Sequence, residues 1–451
     1  MTAWPLTTIG DHHDAGVDRI GVKGASLARL EEGGFHTAAA FVVEAATYRR
    51  AIATSRIDHR LAQIWEVAAD ASPEEIPMLS RKARHLISEI EFSSGLVAEI
   101  RRHLGLLAVA RSGTAASRAD APGVDEQLGE TLRVAVRSSA TPGAVSGPEC
   151  AGVHATYLSV AGVDQVVARV HSCWASMFGE RALSMRAHGL GADDPAMAVV
   201  VQVMVDADAS GLITPTGSPS EVLVEATFGL GEPIISGAVE PDRYVVDRLG
   251  HETRSVTIGR KQILLPGDAS GHRFADPDRI NDRVLNDAQL GELGVLSAAI
   301  DHHFDSPQEV EWSIDASGIV VLQVRPITPG HHVDVPIAHR CVSGIGVGFG
   351  WATGRVRVVD RADDLGELRD GEILVVPATT PEWIPHIERA SALVTDDGDA
   401  TSHAARVAAE LGLPCIVGTE DATTVLETGQ YVTVDCGRGW VVPSVTFADA
   451  V

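Results

Sequence analysis

Basic residues are scarce in this chain. Lys and Arg together number 36 against 61 Asp and Glu, a formal net charge of −25. A chain this acidic is repelled by nucleic-acid phosphates and by anionic membrane surfaces, which argues against general binding to either. Any anionic ligand has to be held in a local basic pocket. Cysteine is sparse as well: Cys150, Cys173, Cys341, Cys415 and Cys436 contain no CxxC pair. That odd count and wide spacing exclude a disulfide framework and a zinc knuckle. Long apolar runs are missing. The longest, Ala196 to Val205, is interrupted by Gln202 and is too short to span a bilayer. The first residues, MTAWPLTTIGDHHD, carry neither the basic nor the apolar segment of a secretory signal. From these absences the expectation is a cytoplasmic protein with no nucleic-acid and no membrane partner.

What is present suffices for more than one core. The chain has 451 residues, 45% hydrophobic and 22% charged, and roughly 150 residues per domain gives about three units, or two if one is large. The stretch Pro329 to Cys341 is Pro- and His-rich and has no period, which marks a boundary. Arg111 to Gly123 and Leu265 to Arg279 also lack period and read as loops. Val163 to Arg186 carries an i, i+3, i+4, i+7 apolar stripe and reads as a helix. Val199 to Val205 and Val222 to Ala226 read as buried strands, and Arg243 to Ile258 as a hairpin turning at Leu249-Gly250. Leu290 to Phe304 reads as a helix capped by Asn286 or Asp287. Beyond the boundary, strand and helix patterns alternate, which suggests a small α/β domain.

Three groups of residues can carry chemistry. The first is the hairpin Glu309 to Arg325. With Gly318 as the left-handed residue of a three-residue loop, Asp315 pairs with Ile319, Glu311 with Gln323 and Glu309 with Arg325. Alternation then places these polar residues on one face and Val310, Trp312, Ile314, Val320, Leu322 and Val324 on the other. Carboxylate and amide oxygens suit Mg²⁺, and Arg suits phosphate. A solvated edge face remains the competing explanation from these residues alone. The second group is VRSSATPG, which contains Arg137, followed by CAGVHAT, with GVKGASL and its Lys23 ahead of a helix near the N-terminus. Small and hydroxyl residues admit phosphate close to backbone N–H groups. No GxxxxGK[ST] loop is present, and ordinary turns explain such runs equally well. The third group is TDDGDATSHAARVAAELGLP. Thr401 or Ser402 can cap a short helix, Gly412 can end it, and His403 falls in its first turn. A helix N-terminus favours a bound phosphate beside a nucleophilic imidazole. A histidine that only packs there is the plainer alternative.

Taken in order, GVKGASLARL, VAVRSSAT, CAGVHATYLSV, FGERAL, VEATFGLGEPIISGAVEPD, PQEVEWSIDASGIVVLQVRPIT and TSHAARVAAELGLPCIVGT resemble the phosphoenolpyruvate synthase, pyruvate phosphate dikinase and rifampicin phosphotransferase family. The resemblance covers nearly the whole chain. It implies an α/β protein: an α+β ATP-grasp nucleotide-binding domain over residues 1–328, a linker over 329–341, and a small α/β swivelling phosphohistidine domain over 342–451. It implies ATP and Mg²⁺ as cofactors, with ATP split to AMP and phosphate and a phosphoryl group passed through His403 to an acceptor. By motif position, Lys23, Arg137, Gly152 and Thr156 would hold phosphates, with Arg325 beside them. Gln202 would lie at the adenine hinge, Glu225 would contact ribose or adenine, and Glu311 and Gln323 would hold Mg²⁺. The chain departs from the family pattern at Val22, Pro142-Gly143, Glu149-Cys150, Asp399 and Ala409. The linker leaves no room for the middle acceptor domain that other members carry. The expected acceptor is therefore a small molecule, or one presented by a partner subunit. Two other readings stay open: a direct ATP-grasp kinase giving ADP, and a non-catalytic ATP-binding regulator.

Overall fold

The computed structural model describes the chain outside residues 1–3, 11–15, 73–74, 113–128, 143, 145–153, 188, 190, 192–193, 217, 236–238, 251, 267–272, 275–278, 328–341, 348–350, 360–365, 367, 400–401, 437–438 and 444–451. Both irregular stretches at 111–123 and 329–341 fall largely or wholly in these gaps, as does Gly152. The chain is a mixed α/β structure with two compact units. The first comprises Met1–Asp206, Gly267–Ser270 and Glu311–Arg325, and the second Ala207–Pro266, Gly271–Val310 and Pro326–Val451.

In the first unit, β1 (Leu6–Thr8), β2 (Ala40–Val43), β3 (Arg133–Ala140), β4 (Thr156–Ala161) and β5 (Met197–Val203) form a sheet in the order β1-β2-β5-β3-β4. β5 is buried along its whole length, as its continuous apolar run requires of a central strand. Helices cover the sheet with a core that includes Phe41, Tyr48, Trp174 and Phe178. The stripe from Val163 to Arg186 is two helices rather than one, Val163–Ser176 and Glu180–Ala187, broken at Met177 to Gly179. Periodicity alone cannot register a break of three residues when the flanking stripes stay in phase.

The Val17–Glu32 helix differs from expectation in one respect that bears on function. Lys23 lies inside this helix and not ahead of it, just past a kink at Gly21, whose φ of 71° is left-handed. A Cβ on Gly21 would collide with the backbone oxygen and hydroxyl of Ser139. The Ser139 hydroxyl donates to Ile20 O at 2.7 Å and accepts from Gly24 N at 3.1 Å. Glycine therefore lets the kinked turn dock on β3 next to Arg137.

In the second unit, β6 (Ala209–Pro215), β7 (Glu221–Phe228), β8 (Asp242–Asp247) and β9 (Thr253–Thr257) form an antiparallel run. The β8–β9 hairpin turns at Leu249-Gly250 as its alternation indicates. The short strand β10 (Ile263–Leu264) pairs with β11 (Arg273–Phe274), which lies in the 265–279 stretch that sequence periodicity leaves as loop. β12 (Gln308–Asp315) and β13 (Gly318–Pro326), whose residues Glu311–Arg325 belong to the first unit, follow the Asp287–Phe304 helix in sequence. Asn286 caps that helix and forms a capping box with Gln289. Gly318 has the expected positive φ, 108°. β13 begins at Gly318 itself, so Ala316 and Ser317 alone make the turn, held by Asp315, which accepts from Ser317 N at 2.7 Å.

The remaining strands are β14 (Val342–Ser343), β15 (Ile345–Val347), β16 (Trp351–Val358), β17 (Ile373–Val376), β18 (Ala392–Thr395), β19 (Cys415–Val417), β20 (Tyr431–Asp435) and β21 (Trp440–Pro443). Their order is β14-β21-β20-β16-β17-β18-β19-β15. The two edge strands, β14 and β15, are separated in sequence by Gly344 alone, so one short segment pairs with β21 at one end of the order and with β19 at the other. One face packs around Ile373, Val375, Val394, Ile416 and Val434. The other packs Leu374, Val376, Leu393 and Val417 against Ala404, Ala405, Val407 and Ala408 of the His403–Leu411 helix.

Candidate active site

β3, β5 and the hairpin β12–β13 bring one polar cluster together in the first unit. Arg137, on β3, is its centre. Its Nη2 donates to Glu311 Oε2 at 2.8 Å and to Gln323 Oε1 at 2.7 Å, and its Nη1 donates to Gln202 Oε1 at 3.0 Å. Gln202 in turn donates to Leu322 O at 3.3 Å. The hairpin is fixed from a second side, where Val321 N donates to His36 O at 2.8 Å. Glu311 and Gln323 thus share a face, as strand alternation implies.

Lys23 and Arg325 lie close enough to act on this cluster electrostatically. Burial, with Arg137 adding repulsion, pulls the Lys23 ammonium down to about 8, and Arg325 adds to the effect. Burial alone would raise the Glu311 carboxyl, but Arg137 and Lys23 outweigh it and hold it below the ordinary carboxylate range. Thr156 opens β4 directly across the ladder from Arg137. Three cations near one carboxylate and two amides make a locally basic cluster, chemically suited to a polyanion, in an otherwise acidic chain.

Gln202, which the resemblance assigns to an adenine hinge, accepts from Arg137 in this structure. Glu225 is not part of this cluster. It lies on β7 in the second unit, fully buried, with Arg243 Nε donating to its Oε1 at 3.2 Å. Close by is a pair of which the sequence motifs contain only Asp242, the last residue of VEATFGLGEPIISGAVEPD: Lys261 pairs with Asp242, which also accepts from Tyr244 OH at 2.8 Å, Gly259 N at 3.0 Å and Val284 N at 2.8 Å. Both charges are essentially inaccessible, so the pair and its hydrogen bonds stand or fall together.

His403 is the first residue of its helix. Ser402 is the N-cap, its hydroxyl accepting from Ala405 N at 3.3 Å, and Gly412 ends the helix with φ 65°. The imidazole is half-buried, and its Nδ1 lies 2.9 Å from Thr379 Oγ1. With Nδ1 engaged, Nε2 is the nitrogen left to react. The loop before it is propped from below: Asp396 accepts from Thr419 Oγ1 at 3.1 Å and Thr423 N at 3.0 Å. Thr379 is the residue that sequence reading missed. β17 and β18 are adjacent and parallel, so the loops after them meet at one end of the sheet. The polar loop that opens with VPATT follows β17 as the histidine loop follows β18.

Residues 17–339 match the family model described as "Pyruvate phosphate dikinase, AMP/ATP-binding domain", and residues 368–439 that described as "PEP-utilising enzyme, mobile domain". The chain is similar to a protein of Archaeoglobus fulgidus named "Probable phosphoenolpyruvate synthase", 34% identical over 97% of this chain and 58% of that protein. It is similar to proteins named "Phosphoenolpyruvate synthase" from Pyrococcus furiosus and Aeropyrum pernix. The first is 36% identical over 69% of this chain and 41% of that protein, the second 34% identical over 94% and 56%. The chain therefore spans less than two thirds of the length of these curated relatives. Among the described residues no helix is long and apolar enough to cross a membrane.

Proposed function

Because the chain belongs to the family of the pyruvate phosphate dikinase AMP/ATP-binding domain, we propose that it is an ATP-dependent phosphotransferase of the dikinase type, working through phospho-His403. The observation that carries this reading is the convergence of Arg137 on Glu311 and Gln323 with Lys23 beside them. In the proposed reaction, ATP, water and an acceptor give AMP, phosphate and a phosphorylated acceptor. His403 Nε2 forms a bond to the β-phosphorus as the α–β bridging bond breaks, and AMP leaves with the electron pair. Water then releases the γ-phosphoryl as phosphate, and an acceptor oxygen takes the remaining phosphoryl group as the N–P bond returns its pair to Nε2.

Lys23, Arg137 and Arg325 hold the polyphosphate in this reading, with Thr156 contributing from β4; Gly152, assigned to phosphate by the resemblance alone, lies outside the described residues. The oxygens of Glu311 and Gln323 already converge on a single cation, the Arg137 guanidinium, and their chemistry suits a hard dication. They would hold Mg²⁺, which when bound neutralises polyphosphate charge. Binding of nucleotide requires Arg137 to give its charge to phosphate and release those oxygens. Thr379 orients the imidazole. Residues 1–328 serve as the nucleotide domain and 342–451 as the phosphoryl carrier, in the cytoplasm. The acceptor is a small molecule or is presented by a partner subunit.

Intact mass after incubation with ATP and Mg²⁺, beside His403→Ala, tests the reading, with nucleotides analysed in parallel. An acid-labile phosphoryl adduct absent from the variant, with AMP formed, is the expected outcome. ADP as the sole product would replace this reading with a direct kinase. No adduct and no turnover would leave a nucleotide-binding regulator.

A further inference from the structure

His403 and Arg406 sit three residues apart on the His403–Leu411 helix. Residues at that spacing share a face, with Cβ atoms about 5–6 Å apart. Helical side chains lean toward the N-terminus, so Arg406 covers the turn that His403 opens. Ala404, Ala405, Val407 and Ala408 take the buried side. Arg406 is left exposed, and among the described residues its side chain makes no ion pair.

The surrounding charge is negative. Asp396, Asp397 and Asp399 precede the histidine, Glu410 follows it, and Arg406 is the single Lys or Arg between Arg389 and Arg438. Asp396 is occupied by Thr419 and Thr423, while Asp397 is exposed. A phosphoryl group on His403 would enter this acidic setting with two further negative charges. Glu410 lies four residues C-terminal to Arg406, the weaker order for a helical ion pair, and leaves the guanidinium available.

We infer that Arg406 binds the phosphoryl group carried on His403 Nε2. This rests on the phosphohistidine reading above. The guanidinium pairs with the non-bridging phosphoryl oxygens and exchanges no proton. It stabilises the group while the N–P bond forms with the Nε2 electron pair, and again until that pair returns on transfer to the acceptor oxygen. The chain thereby supplies beside the reacting atom the cation that its acidic loop lacks.

The test uses the whole chain with ATP labelled in the β-phosphoryl and Mg²⁺, comparing wild type, Arg406→Ala and Arg406→Lys. Adduct formation and spontaneous loss are followed with time, and ATP affinity is measured separately. Arg406→Ala is expected to form the adduct about tenfold more slowly at unchanged ATP affinity, a smaller effect than the roughly hundredfold of a sheltered donor. Arg406→Lys should recover part of the loss, which a purely structural role does not predict. If wild type labels and Arg406→Ala labels and discharges at the same rate, this inference is overturned alone. If wild type takes no label, the phosphohistidine reading and this inference fall together.

Discussion

Arg137 Nη2 lies 2.8 Å from Glu311 Oε2 across 174 residues of sequence. Their side chains are 11% and 21% exposed, so the pair is well shielded from solvent. Each partner also meets other groups of the cluster: Arg137 is bonded to Gln202 and Gln323, and Glu311 feels the Lys23 ammonium. One ion pair thus joins β3 to the hairpin that follows it so much later in the chain.

Arg137→Ala should therefore lower stability as well as nucleotide binding, because it strands a partly buried carboxylate. A cost of about 3 kcal/mol is expected, the scale of a broken buried pair. The Glu311 carboxyl is held below its ordinary 4.5. Its contribution is therefore full above that value and is lost as pH falls through its lower folded value. Urea unfolding of wild type and variant at pH 7 and pH 3 should show a gap at the first pH that narrows at the second.

Lys23 sets a different pH dependence. Its folded value of about 8 lies below the ordinary 10.5, and bound phosphate favours the charged form. Nucleotide affinity should fall as pH rises through about 8, and binding near that pH should take up a proton. Titration calorimetry in two buffers of different ionisation enthalpy measures the uptake directly. Without nucleotide the sign reverses: the unfolded chain holds the Lys23 proton up to 10.5, so the penalty this group puts on folding is relieved as pH rises from about 8 to 10.5.

Thr379→Val removes the Nδ1 partner of His403 and keeps the shape of the side chain. Phosphohistidine formation should slow by about tenfold or more, the scale on which lost orientation of a ligating imidazole is felt. ATP affinity should stay unchanged, and Thr379→Ser should restore the rate. Equal labelling rates in Thr379→Val and wild type would remove Thr379 from the mechanism.

Several local decisions were open to inspection in the sequence. The His403 helix shows its cap at Ser402 and its stop at Gly412 as residue types, because capping depends on neighbours within one turn. Asn286 with Gln289 is legible for the same reason. β12 and β13 announce themselves by alternation, and with it the shared face of Glu311 and Gln323. Where local signals ran out, the errors were specific. The kink at Gly21 puts Lys23 inside a helix, since its cause is Ser139, far along the chain. The break at Met177 to Gly179 hides between two stripes in phase.

What the sequence by itself determined is the identity of the reactive groups and the strands, turns and helix ends that bear them, since each depends on residues a few positions apart. What only the tertiary structure decided is which groups meet. It turned Gln202 to Arg137 and buried Glu225 against Arg243. It also paired Lys261 with Asp242 and set Thr379 against His403. Those meetings follow from strand order and register, and no short window of sequence contains the two partners whose burial makes each contact worth forming.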